Sequence, residues 1–138
     1  MDWRRGVRVV RIDSMAEAAG SQGGRATAFN FAGSGGRETW IGTFALKPNA
    51  NTGAHHHGRH EVAVYVTSGH SEIRWGDRLE FAARVGPGDF VYFAPKVPHQ
   101  ERNLSDSEAV EFVVVRSDNE AIRMDIAVAS VERPEEVF

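Results

Sequence analysis

An all-β sandwich or barrel in a single domain is the fold class this sequence predicts. Three observations carry that expectation. Short runs rich in Val, Ile, Thr and aromatic residues recur at a spacing of roughly 8–12 residues, with turn-forming residues between them. Helical signals are confined to a single short segment near the N-terminus. The 138 residues, 41% hydrophobic and 25% charged, suffice for one core and are too few for two. The same balance excludes a disordered or fibrous chain.

Residues 7–12 are β-branched apart from two arginines and form the first expected strand. Ser14-Met15-Ala16-Glu17 has the S-x-x-E form of a capping box, so one or two helical turns are expected there, stopped by Gly20. Glycine-rich loops at 20–24 and 33–36 bracket an expected strand over 26–32. A strand over 39–46 is rich in aromatic and β-branched residues, and 47–53 is a turn-rich connector. The clearest strand, 61–66, ends at Ser68-Gly69, and 71–75 reads as its hairpin partner. Strands are further expected over 79–85, 90–94, 100–103, 109–116 and 121–128. Gly86-Pro87-Gly88-Asp89 and Pro95 punctuate them, and the tail carrying Pro134 and Phe138 is read as loose.

Several function classes are disfavoured. There are no cysteines, hence no disulfides and no thiolate metal sites. The longest apolar runs, such as Val113-Val114-Val115, fall far short of the ~20 residues of a membrane span. No apolar stretch follows Arg4 and Arg5, so a signal peptide is not expected and a cytoplasmic location is. The net charge of −3 argues against a nucleic-acid binder. Arg4, Arg5, Arg8 and Arg11 are assigned to the solvated face of an edge strand. The 33–36 loop lacks the Lys-Ser/Thr of a phosphate loop, and no G-x-S-x-G is present.

Histidine is where the composition is uneven: of six in the chain, four lie between positions 55 and 60. Side chains two apart on an extended segment share a face, so His55 and His57 can point together while His56 points away. Paired imidazoles are natural metal ligands. Glu61 and the distant His99 could complete a site suited to Fe, Mn, Ni, Co, Cu or Zn as divalent ions. Three adjacent histidines also fit a solvated polar tract.

These residues carry a resemblance. The segment 53–69 resembles the first cupin motif, roughly G-x5-H-x-H-x3-4-E-x6-G, with His55 and His57 as its histidines and Glu61 as its glutamate. The segment 88–103 resembles the second, roughly G-x5-P-x-G-x2-H-x3-N, opened by Gly88-Asp89 and ending on His99 and Asn103. The chain looks most like small single-domain bacterial cupins with an H-H-H-G tract and a P-H-Q-E-x-N ending. It departs from the pattern in four places. Gly53 is too close to His55, seven residues rather than six separate Glu61 from Gly69, Ala94 takes the place of the proline, and Lys96 that of the glycine. A one-residue shift reverses a side chain's face unless a bulge corrects it, so His60 is the reserve ligand if Glu61 faces away.

The resemblance implies a jelly-roll barrel over residues 1–138. One divalent transition metal would be held by His55, His57, Glu61 and His99, with open positions for water or substrate. Second-shell roles fall to Glu101 and Asn103, which share strand parity with His99. Tyr65, Trp40, Phe44 and Tyr92 are the candidate pocket-lining aromatics, although aromatic stripes in strands also build cores. The expected function is a small metalloenzyme acting on a small organic molecule, dioxygenase-like if the ion is Fe(II). One alternative is a sugar or sugar-phosphate isomerase or binding cupin using Arg59, Arg74 or Arg84. Another is a non-enzymatic ligand-binding or sensing module. A homodimer is expected from the family, with residues 7–12 as the candidate interface strand.

Overall fold

The computed structural model describes residues 3–11, 16–18, 25–29, 37–117, 120 and 122–138. Period-2 alternation builds its centre. In β5 (Val62–Ser68), Val62, Val64 and Val66 are buried while Ala63, Tyr65 and Thr67 are exposed, the pattern of a strand with one face on a core. β10 (Val110–Arg116) pairs antiparallel with β5 on one side and with β3 (Trp40–Leu46) on the other. With β1 (Ala16–Ala18), β2 (Arg25–Phe29) and β8 (Phe90–Phe93), they make a sheet in the order β1-β2-β3-β10-β5-β8.

The second sheet contains β4 (His55–His56), β6 (Ser71–Trp75), β7 (Phe81–Val85), β9 (His99–Asn103), β11 (Met124–Asp125) and β12 (Glu135–Glu136). Its order is β11-β4-β9-β6-β7-β12. Pairing is antiparallel throughout except for β12 beside β7. The core joins the two inner faces: Leu46, Val64, Val66, Val110 and Phe112 from the first sheet pack with Ile73 from the second. No helix longer than the 3-10 turn Trp3–Arg5 occurs among the described residues. The all-β expectation stands.

Register then sets up two facing rows. Across the first sheet, Trp40, Arg116, Val62 and Phe93 are neighbours on β3, β10, β5 and β8. Across the second, Asp125, His55, His99 and Trp75 are neighbours on β11, β4, β9 and β6.

Some expected elements differ. The helical turn read from Ser14-Met15-Ala16-Glu17 is instead strand at Ala16 and Glu17, which pair with Thr27 and Ala26. Sheet hydrogen bonding overrides the helix propensity of so short a segment. Ser14, Met15 and the loops 20–24 and 33–36 lie outside the described residues, apart from strand placement given above. Residues 7–11 form no strand, and Val7 and Val9 are exposed. The predicted strand over 26–32 is realised at Arg25–Phe29, and that over 121–128 shrinks to Met124–Asp125. The tail is not loose: Glu135 and Val137 donate to the Glu80 and Ala82 carbonyls at 2.8 Å each.

One turn has a firm residue requirement. Gly69, between β5 and β6, has φ +78°, and a Cβ there would stand 2.4 Å from the Ala109 carbonyl oxygen and 2.8 Å from the Val110 Cα. Both obstacles are backbone and cannot swing away. Gly69→Ala is expected to lower stability by about 2 kcal/mol or more, read as the shift of a urea-unfolding midpoint. An unchanged midpoint would mean that the turn relaxes freely.

Candidate metal centre

His55 and His99 face each other directly across the β4–β9 pair. His57, two residues on, returns to the same face, and the ring centroids are 4.9 Å apart for His55–His57, 4.4 Å for His55–His99 and 5.1 Å for His57–His99. One ligand atom from each lies within 4.8 Å of the others. His56 turns away, as the alternation predicts, and its Nδ1 accepts from the Gly58 amide.

The hydrogen bonds of the three rings decide their chemistry. His55 Nδ1 meets the Gly53 carbonyl, His57 Nδ1 the Ile122 carbonyl and His99 Nδ1 the Val97 carbonyl, each at 2.9 Å. A carbonyl oxygen only accepts, so each Nδ1 carries the proton. In a neutral ring this leaves the Nε2 lone pair available to a metal. Burial favours the neutral form of His55 and His99. It lowers the His55 pKa from 6.5 to about 4, against a partial upward pull from the Gly53 hydrogen bond. It lowers that of His99 to about 3, helped by the neighbouring His55. Phe93 stacks on His99, with centroids 4.2 Å apart and planes at 25°.

The rings open onto a cavity of about 30 Å³ between the two facing rows. Its lining joins Thr52, Glu101 and Arg123 with the histidines, and sets Arg116 among the apolar Trp40, Phe44, Val62, Val64, Phe93 and Val114. Three imidazoles, two buried and one half-buried, with ligand atoms within 4.8 Å of one another fit a divalent transition ion by donor type.

The placement of the other predicted residues is mixed. Trp40 and Phe44 line the cavity. Tyr65 does not: it faces outward and packs on Phe90, with centroids 4.7 Å apart. Tyr92 is also outward and hydrogen-bonds Glu61. Glu61 is exposed and stands apart from the histidine group. The cause is the extra residue before Gly69, which no bulge absorbs between Glu61 and the start of β5. Glu61 therefore shares parity with the exposed Ala63 and Tyr65, and the inward residue with six residues between it and Gly69 is Val62. His60 is buried but belongs neither to the histidine group nor to the cavity wall.

Glu101 lines the cavity, and its backbone is tied to Thr52, whose amide donates to the Glu101 carbonyl while its hydroxyl accepts from the Glu101 amide, both at 3.0 Å. Asn103 is buried at the far end of β9. Its amide donates to the Leu46, Lys47 and Glu108 carbonyls and its oxygen accepts from the Ser105 amide, so it clamps loops rather than imidazoles. Lys96, at the place of the motif glycine, keeps the left-handed backbone of a glycine at φ +64°.

Two charged cavity residues were not anticipated. Arg116 has a sequence signal: it shares strand parity with the buried Val110 and Phe112 and the half-buried Val114, where a charge is unexpected. Arg123 has none, because its position depends on β11 crossing beside β4. Arg59 and Arg74 pair with Glu120 and Glu72, and none of Arg59, Arg74 and Arg84 reaches the cavity.

A small two-sheet barrel with buried histidines from two separated motifs defines a class of metal-site β-barrels. The chain belongs to the cupin family: the Cupin domain model matches residues 42–116, more than half of it. Solved structures share the fold. An uncharacterized conserved protein with a double-stranded β-helix domain from Klebsiella pneumoniae has 17% identity and a TM-score of 0.68, over 88% of this chain and 99% of that one. The polyketide cyclase RemF from Streptomyces resistomycificus has 18% identity and a TM-score of 0.75, over 93% and 89%. Oxalate decarboxylase from Bacillus subtilis, with Mn(II) centres, has 18% identity and a TM-score of 0.70, over 87% of this chain but 33% of that one. No curated protein matches the sequence significantly.

Two predictions follow from the protonation and the register. Both depressed pKa values lie below the unfolded 6.5, so as pH falls the unfolded chain takes up protons first. Stability is therefore whole above about pH 6.5 and declines toward about 4 for His55 and 3 for His99. The full loss from His55 alone is about 3 kcal/mol. The melting temperature of metal-free protein should fall between pH 7 and pH 5; a flat profile would mean the rings are not held neutral. Separately, Val62→Glu should lower the melting temperature without metal and tighten metal binding in a chelator competition. Unchanged metal affinity would show that position 62 does not address the ion.

Proposed function

We propose that this cupin is a divalent-metal-dependent enzyme acting on a small organic molecule. The supporting observation is the trio of imidazoles, two buried and one half-buried, each with its Nδ1 on a backbone carbonyl, which lines one cavity with no carboxylate joined to the group among the described residues. A ligand set of three leaves positions open, the mark of catalytic rather than closed structural sites. His55, His57 and His99 would hold the ion, which would supply Lewis acidity or, as Fe(II), a site for O₂. Dioxygenation is the leading chemistry for iron; hydrolysis or isomerisation is for Zn(II) or Mn(II). The apolar wall of Trp40, Phe44, Val62 and Phe93 would exclude water, and Glu101 would take up or return a proton at its carboxylate.

A homodimer is part of the proposal. Its support is the exposed aromatic edge of the first sheet, where Phe90 is 80% and Tyr92 59% exposed.

Elemental analysis of untagged protein, beside His57→Ala and His99→Ala, tests the centre. Near-stoichiometric metal in the parent and loss in both variants is expected. Iron would direct assays to O₂ consumption, zinc or manganese to hydrolase and isomerase screens. No metal after reconstitution with Fe(II), Mn(II), Ni(II), Co(II), Cu(II) and Zn(II) would overturn the reading.

A further inference from the structure

The two sheets leave a second, larger cavity apart from the histidines. It is a cleft of about 750 Å³ between β8, at the end of the first sheet, and β6 and β7 of the second. Register fixes its walls. Ile73 on β6 pairs with Ala83 on β7, and both share the inner face with Trp75 and Val85. From the first sheet, Val91 and Phe93 of β8 pair with the inward Val64 and Val62. Trp75, Val85 and Val91 pack on the core yet stay half-exposed, so the core is open on this side. Phe138 stacks on Trp75, with centroids 6.3 Å apart and planes at 24°. Neither His55, His57 nor His99 lines the cleft; Phe93 is common to both cavities.

Volume and lining narrow what it holds. Sites that enclose a small molecule span about 300–1,000 Å³, and this cleft falls within that range. Ile73 is 2% and Phe93 5% exposed, so the floor lies deep between the sheets, where a flat protein surface does not reach. Phe90 and Tyr92 of β8 turn to the outer face, so a dimer formed there leaves the inner walls unused. Arg84 and Asp89 are the charged residues among the described lining, one of each sign, and Asp89 Oδ2 already accepts from the Gly86 amide at 2.8 Å. A charged guest would lose hydration to apolar walls with no net charge to replace it. Trp75, Phe93 and Phe138 offer rings for stacking, which favours a flat π-system over an alkyl chain. We propose that this cleft binds a neutral, flat aromatic molecule. The proposal is independent of the metal-centre reading.

Fluorescence titration of the full chain with N-phenyl-1-naphthylamine, a neutral aromatic probe, tests it. A chelator is present throughout, so the histidine site does not enter the result. One probe per chain should bind, with a dissociation constant of about 10 μM or below. The sulfonated relative 8-anilino-1-naphthalenesulfonate should bind at least about ten-fold more weakly. Ala83→Phe, which fills the cleft from its inner wall, should weaken probe binding at least about ten-fold. Tyr65→Ser, on the outer face of β5, should leave it unchanged. Melting temperature and sedimentation are measured for each protein. No probe binding, several probes per chain, a sulfonate that binds as tightly, a folded Ala83→Phe that binds as the parent does, or loss of binding in Tyr65→Ser would each overturn the proposal. A parent dimer that Ala83→Phe dissociates would overturn it too, because a second copy then fills the cleft. If Ala83→Phe does not fold, the two probes on the parent and Tyr65→Ser decide.

Discussion

The site depends on the pairing of His55 with His99 across β4 and β9. β4 is only two residues long, so its pairing with β9 and β11 is what fixes the direction of both His55 and His57. Backbone carbonyls then set the protons. Gly53 and Val97 stand two residues before the histidines they orient, and Ile122 reaches His57 from the chain beyond β10. The orienting groups are therefore main chain, which no side-chain substitution deletes directly. That places the tautomer choice under the control of the fold itself.

The same two sheets explain why the polar group is tolerated indoors. A buried histidine is costly when charged, and burial here drives both imidazoles of the His55–His99 pair toward neutrality. The apolar core continues from the cavity without a break: Val62 and Val64 belong to both, and Phe93 packs on His99 while resting on that core. Metal-site geometry and core packing are thus one structure, and a packing change at Phe93 is also a change at the ligand.

Much of this was legible in the sequence, for reasons of period and spacing. Alternation identified β3, β5, β8 and β10 because these strands bury mainly one face. His55, His57 and His99 were recoverable because parity and two motif spacings agreed on them. Glu61 was misplaced because a pattern tolerant of three or four residues before the glutamate ignores the fixed parity counted back from Gly69. Tyr65 failed with it, since it shares strand parity with Glu61, while Tyr92 shares with Phe90 a face of β8 that turns outward. β12 escaped and β11 was drawn too long, because two-residue strands have no period to read and their pairing comes from distant partners. Lys96 shows the converse: the backbone demand of the motif survives where its glycine does not.

The position of Arg116 and Arg123 has a kinetic side. Both guanidiniums stand at the cavity that a bare dication must enter, and like charges repel most strongly where water is scarce. Glu101 and Asp125 would offset part of this repulsion. An ion escorted by an anionic chelate would meet a lower barrier than the aqueous ion. Occupancy by a metal would then depend on the company the ion keeps in the medium as well as on the affinity of the three nitrogens.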